Sequence, residues 1–409
     1  MQQEQSAQQS NKPKQPQHKH DRLITRDMAL VMLATFCFMS SNMLANPIVA
    51  GYAESLGASG MLMGVVAGSM SFISLFCRPI AGNLSDRTSK RTLVAAGTVL
   101  YFAAGLLYYF AGSPIMLIMA RVINGVGFAC CSVCLATWMS LLLPIRHMGA
   151  GMGLYGTMNA LAMAVGPAFG IRAQKYIGYR LTFLSSLVLA AIMLIATLMV
   201  KNGGQPVRKK QTSISATKKH RFSIRSILEP RVVPLSLTFM MFAIAYFANQ
   251  SFIVSYVQSR HLPVSSDLFF MFYAVALLVL RLGLRDLFDS KGFRFWLTVC
   301  SLGMLAMLAC MTFLFNDWML LLAAIFTAVG YGLMSSVTQA QAVVIAGRER
   351  SGIANSTYYA GIDLGMSVGP FVGGLVYGHL PAVWFYPVFM LAMPVAWLIY
   401  LLCVKRVSR

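Results

Sequence analysis

The segment RPIAGNLSDRTSKR, Arg78 to Arg91, can be laid over RLGLRDLFDSKGFR, Arg281 to Arg294, at an offset of 203 residues. Three charges coincide: Arg78 on Arg281, Asp86 on Asp289 and Arg91 on Arg294. At the same offset Ala45-Asn46 falls on Ala248-Asn249, Gly127 on Gly330 and Gly149 on Gly352. Tyr155 falls on Tyr358, Gly166-Pro167 on Gly369-Pro370, and Gly170 on Gly373. Matches spread over most of each half at one offset make the chain two copies of one topology.

Apolar residues are 57% of the chain and charged residues 11%, too few charges to cover a water-facing surface. Continuous apolar runs of membrane-spanning length recur, which predicts helices across a bilayer. A closed barrel would instead need short segments alternating in polarity. Twelve spans are expected, at 28–50, 60–80, 92–112, 115–138, 149–171, 181–200, 232–257, 265–285, 296–315, 318–342, 353–378 and 384–403. The expected fold is therefore all-α, with twelve transmembrane helices in two pseudo-symmetric six-helix bundles over 28–200 and 232–403. A polar tail over 1–27, a basic linker over 201–231 and a short tail over 404–409 complete the expected organisation. The first 27 residues are too hydrophilic to be an apolar signal core.

Lys and Arg concentrate in the N-tail, the even-to-odd connections, the linker and the C-tail. On the other side stand only Arg172, Lys175, Arg180 and Arg260. The positive-inside rule then places both termini in the cytoplasm of a multi-pass plasma-membrane protein. The net charge of +21 fits loops facing an anionic inner leaflet, and nucleic acid is not an expected partner. Trp296, Trp318 and Trp384 fall at span ends, where interfacial anchors belong.

Two six-span halves joined by a basic linker resemble the major facilitator superfamily. The loop Gly82-Asn-Leu-Ser-Asp86-Arg87-Thr-Ser-Lys90-Arg91 is similar to its G-x-L-a-D-R-x-G-R-R signature, with Ser89 in the second Gly position. Arg121-Val-Ile-Asn-Gly125-Val-Gly127 resembles R-x-x-Q-G-x-G, with Asn124 for Gln. Gly156 and Gly166-Pro167-Ala-Phe-Gly170 are similar to a glycine-proline motif associated with antiporters. The first span and its exit, PIVAGYAESLGAS, look like the drug:proton antiporter branch. That first span lacks the interior acid that many multidrug exporters carry.

Each motif carries a physical expectation. A carboxylate just past a helix end can cap a neighbouring helix and meet a cation. The resemblance implies that Gly82, Asp86, Arg87, Lys90 and Arg91, echoed by Asp289 and Arg294, latch the cytoplasmic side of the outward-facing state against the eleventh span. Gly125, Gly166, Pro167, Gly170, Gly369, Pro370 and Gly373 permit close, bent helix packing and gating. Arg121 reads as the one cation well inside a span, and a charge at that depth is a functional candidate. Among the carboxylates, only Asp363 lies near mid-membrane, counted at about 1.5 Å per residue from the start of its span. Asp363 and Arg121 are the candidates for proton coupling.

Asn46, Asn159, Asn249, Gln339 and Tyr358 are candidates to line a substrate cavity. In the resembling fold, spans one, four, seven and ten do so. Cys131 and Cys134 form a C-x-x-C without a second ligand pair, so no metal is expected. No phosphate loop, nucleotide fold or catalytic triad is present in the sequence, so neither an enzyme nor a bound cofactor is expected. The first expectation is a monomeric proton-driven exporter of a small molecule, with the proton gradient as energy source. Uptake or facilitated movement of a sugar or small metabolite is the alternative, and a non-transporting receptor or scaffold is the reading from another class.

Overall fold

The computed structural model describes residues 25–143, 148–205, 229–284, 287, 291–347 and 351–407. Ten helices among these residues are long and apolar enough to cross a membrane. Span one is Arg26–Ser55, span two Gly60–Arg87, span three Lys90–Phe110 and span four Pro114–Leu142. Met148–Met199 holds spans five and six, because Gly178 at φ 75° turns the chain between them. Only a residue without Cβ adopts that backbone at little cost. Span seven is Val233–Ser259, span eight the shorter Ser266–Gly283 and span nine Phe293–Thr312. Span ten runs from Asp317 to Ala346, through a π-helical stretch at Ala328–Leu333. Span eleven is Ser351–His379. Span twelve comprises Phe385–Met390 and Ala392–Val407. The chain is all-helical over the described residues and folds as the internal repeat predicts.

Local chemistry places the helix ends. The Thr25 hydroxyl accepts from the Met28 amide at 3.3 Å, and the Asn316 side chain accepts from Met319 at 2.9 Å. Pro114 opens span four, where its missing N–H costs nothing. Where the sequence predicts one span over 384–403, the helix is interrupted at Leu391. Pro394 cannot donate to the Met390 carbonyl, and its ring crowds the preceding turn. Trp318 and Trp384 are exposed, as anchors must be, but Trp296 is 1% exposed. It shares a helix face with Phe293, Cys300 and Met304 and is an interior packing residue.

The two halves meet most closely where span two crosses span eleven. A Cβ on Gly374 would lie 2.4 Å from the Gly60 carbonyl oxygen, and one on Gly64 would lie 2.6 Å from the Pro370 oxygen. Backbone therefore touches backbone, the close approach that small residues allow. Nearby, the Tyr377 hydroxyl donates to Glu54 at 3.2 Å, and Arg172 meets Asp267 at 3.7 Å. We call this the sealed end.

The opposite, basic end carries the loop between spans two and three. There the segment after span six folds back on the first bundle. Ser89 donates to the Gly203 carbonyl at 2.7 Å and Trp138 to that of Asn202 at 2.9 Å. The Asp27 carboxylate accepts from the amides of Lys201 and Asn202 at 3.1 and 2.9 Å. Residues 201–204, assigned to the linker by composition, are thus bonded to the first bundle.

Candidate transport site

Span two carries Arg78 and span eleven carries Asp363, and the two side chains join the halves. Arg78 Nε lies 2.5 Å from one carboxylate oxygen of Asp363, and Nη2 donates to the other at 3.0 Å. The ions are thus in direct contact, and the Nη2 bond is the one of hydrogen-bonding geometry. Asp363 is 2% exposed and the Arg78 side chain 23%, so the pair is buried on one side and reachable on the other. The guanidinium also lies 5.5 Å from the Phe128 ring centre. The sequence names Asp363 and Arg121 together as coupling candidates, with Arg121 as the one deep cation. The structure corrects both points. Arg78 sits inside its helix, with more than two turns before the terminus at Arg87.

Arg121 is buried and held by neutral groups. Nη2 donates to Asn46 Oδ1 at 3.0 Å and to the Ala67 carbonyl at 2.9 Å, and Nε donates to the Val66 carbonyl at 3.3 Å. It thereby ties span four to spans one and two. Gly125 lets those helices approach, since a Cβ there would lie 2.5 Å from the Met70 oxygen.

The remaining cavity candidates divide between the halves. Asn249, the repeat mate of Asn46, accepts from the Tyr386 hydroxyl at 2.9 Å. Tyr358 donates to the Ser335 carbonyl at 3.0 Å, and Gln339 donates to Asn355 at 3.3 Å. Asn159 donates to the Tyr155 carbonyl at 3.2 Å within its own helix. Gln250, which the cavity shortlist left out, is fully buried and reaches across the interface to the Met43 sulfur at 3.8 Å. Tyr331, in the π-helical stretch, stacks on Tyr246 at 4.0 Å, with Phe239 at 5.5 Å.

A sequence model of the Major Facilitator Superfamily matches residues 31–317 and 293–409. The chain belongs to that superfamily. It is 24% identical to an uncharacterized MFS-type transporter of Methanocaldococcus jannaschii over 371 residues, 87% of this chain and 92% of the relative. It is 26% identical to the synaptic vesicular amine transporter of Homo sapiens over 172 residues, 42% of this chain and 33% of that one. Among solved structures, a POT family transporter in complex with 5-aminolevulinic acid superposes with a TM-score of 0.74 at 11% identity, covering 94% of this chain and 97% of the other. The nucleoside transporter NupG gives 0.72 at 12% identity, covering 94% and 100%. These two share the fold. The protein is a multi-pass membrane transporter of the major facilitator superfamily, not an enzyme.

The superfamily's signature positions can now be placed. Asp86 and Arg87 belong to the last turn of span two, and Gly82 has open space around it. Lys90 is buried and donates to the Ser85 carbonyl, while Arg91 donates to the carbonyls of Val200 and Lys201. These two cations therefore bind backbone of their own bundle. Arg294 is exposed at the start of span nine, and Asp289 lies outside the described residues. The glycine-proline motifs pack alike in both halves. A Cβ on Gly170 would lie 2.4 Å from the Leu44 oxygen of span one, and one on Gly369 would lie 2.5 Å from the Ile244 oxygen of span seven.

Proposed function

We propose that this transporter is a proton-coupled exporter of a small molecule, working as a monomer in the plasma membrane by rocker-switch alternating access. The Arg78–Asp363 bridge is the observation that carries the reading. It crosses between the bundles, and it contains the one carboxylate buried deep in a span among those described. A proton on Asp363 removes the charge that holds Arg78, so protonation and contact between the halves are linked. With the basic end in the cytoplasm, the sealed end faces outward and the described conformation is the inward-facing one. Binding of substrate and release of the proton to the cytoplasm then belong to this state, and the reverse exchange to the outward-facing state.

In the outward-facing state the latch at Gly82, Asp86, Arg87, Lys90 and Arg91, with its counterpart at Asp289 and Arg294, closes the cytoplasmic side. Tight glycine-proline packing of span five on span one and of span eleven on span seven supports export. Asn46, Asn159, Asn249, Gln339 and Tyr358 orient the substrate, and Arg121 acts by bracing spans one, two and four. No cofactor takes part, and the proton gradient drives the cycle.

Two measurements test this reading. Tags at the N-tail, near residue 215 and at the C-terminus should all report a cytoplasmic location. Counterflow in proteoliposomes over a panel of metabolites and drugs should identify a substrate whose movement is opposed by protons. External tags, or transport indifferent to a proton gradient, would contradict it.

A further inference from the structure

Arg121 is 1% exposed, and its partners are two carbonyls, one amide and a thioether. Its Nη1 donates to the Met70 sulfur, at 3.8 Å, a weak acceptor. The ion pairs described are Arg78–Asp363 and Arg172–Asp267, and neither includes it. A buried guanidinium without a counter-charge is strongly unfavourable.

Further unsatisfied polar groups lie on the same and neighbouring helices. Asn42 is 1% exposed, and neither atom of its amide is hydrogen-bonded. Asn124 is 5% exposed with its oxygen unbonded, and the hydroxyls of Tyr101 and Tyr108 are buried and unbonded. The Arg121–Asn46 bond and the Phe38–Phe128 stack at 5.3 Å fix the register of spans one and four. Asn42 lies between Phe38 and Asn46 on one helix face, and Asn124 lies between Arg121 and Phe128 on the facing one. Both asparagines therefore stand at one level of the same interface. Span three adds Tyr101, packed on Phe38 and near Gly127. It also adds Tyr108, whose hydroxyl lies beside the guanidinium without a hydrogen bond of good geometry.

We propose that these residues form an anion site inside the first bundle, which holds a halide ion of chloride size between Arg121 Nη1, the hydroxyls of Tyr101 and Tyr108, and the amide nitrogen of Asn42. Hydroxyl hydrogens rotate freely, and an asparagine can turn its amide to present the donor. Water would satisfy the hydroxyls but leave the guanidinium charge unmatched. Every contributing residue is at most 5% exposed and all belong to one bundle, so the site is enclosed and suits a small ion rather than an organic anion. The ion neutralises Arg121 and so stabilises the packing of spans one, three and four. The inference stands apart from proton coupling and from the identity of the substrate.

The test uses the purified full chain in detergent, in gluconate buffer at fixed ionic strength, titrated with chloride or bromide while thermal unfolding is followed. A saturable rise in unfolding temperature is expected with either halide. Tyr101→Phe and Tyr108→Phe should each move the halide midpoint upward by about tenfold, the effect of losing one donor to a charged partner, while unfolding in gluconate stays near the parent's. Arg121→Gln should abolish the response, and if it does not fold the two tyrosine variants carry the test alone. No halide effect beyond gluconate, or tyrosine variants that titrate like the parent, would assign the pocket to water and overturn the proposal. The readout needs no transport, so a failure here leaves the exporter reading untouched, and the reverse.

Discussion

The two halves repeat their backbone and differ in their chemistry. Span five approaches span one through Gly166 and Gly170, as span eleven approaches span seven through Gly369 and Gly373. Yet Asn46 holds Arg121 in the first half, whereas its mate Asn249 holds Tyr386 in the second. The first half has two deep arginines, Arg78 and Arg121. The second has the deep carboxylate and an aromatic stack of Tyr246, Tyr331 and Phe239 around a π-helical segment. Backbone packing is shared because each bundle draws its corresponding helices together through the same small residues. The charges are divided because a bridge between the halves needs opposite signs on opposite sides.

The strongest way to break this comparison is to remove one side of the bridge. Arg78→Ala leaves Asp363 buried and unpaired, and should cost about 3 kcal/mol of stability. Replacing both residues by apolar ones, Arg78→Met with Asp363→Leu, should recover most of that loss and still abolish coupled transport. Thermal unfolding of the three proteins checks the first part and transport the second. Equal stability of Arg78→Ala and the parent would show the bridge to be energetically idle.

Next in size is the shared packing. Gly374→Val places atoms where the backbone of span two already lies, an overpacking that should cost about 1–3 kcal/mol. The sealed end should loosen. A cysteine at Ser255, buried in the parent, should then react with an external reagent in a cysteine-free background. Unchanged protection would mean that the seal rests elsewhere.

A finer contrast uses the paired asparagines. Asn46→Ala removes a hydrogen bond to a charged group and should cost about 2 kcal/mol, whereas Asn249→Ala removes a neutral one and should cost about 1 kcal/mol. Denaturation of both variants sharpens the comparison, and equal losses would erase it.

How far the sequence anticipates the structure follows the same division. The fold is legible because the offset repeat and the apolar runs are properties of the chain alone. The placement of Gly125, Gly166 and Gly369 at close helix contacts is legible for the same reason. The ion-pair partners are not. Depth along a span can be counted at about 1.5 Å per residue, but the neighbour a side chain faces depends on its direction around the helix and on helix order. Counting depth singled out Asp363 and Arg121 and missed Arg78, which falls near the end of the predicted span 60–80. A basic residue inside that span, with one lone deep acid elsewhere, was the available signal. The π-helical stretch at Ala328–Leu333 left no pattern beyond its glycines. The docking of 201–204 depends on carbonyls and amides that composition does not report.

The central claim is that proton coupling runs through the Arg78–Asp363 bridge. Substrate-dependent proton flux in proteoliposomes bearing Asp363→Asn tests it most directly. The amide keeps the size of the side chain and much of its hydrogen bonding but cannot release a proton. Downhill substrate exchange should survive at least in part, with no accompanying proton movement and no concentrative transport. Full proton-coupled transport by Asp363→Asn would contradict the claim and place the coupling elsewhere in the molecule.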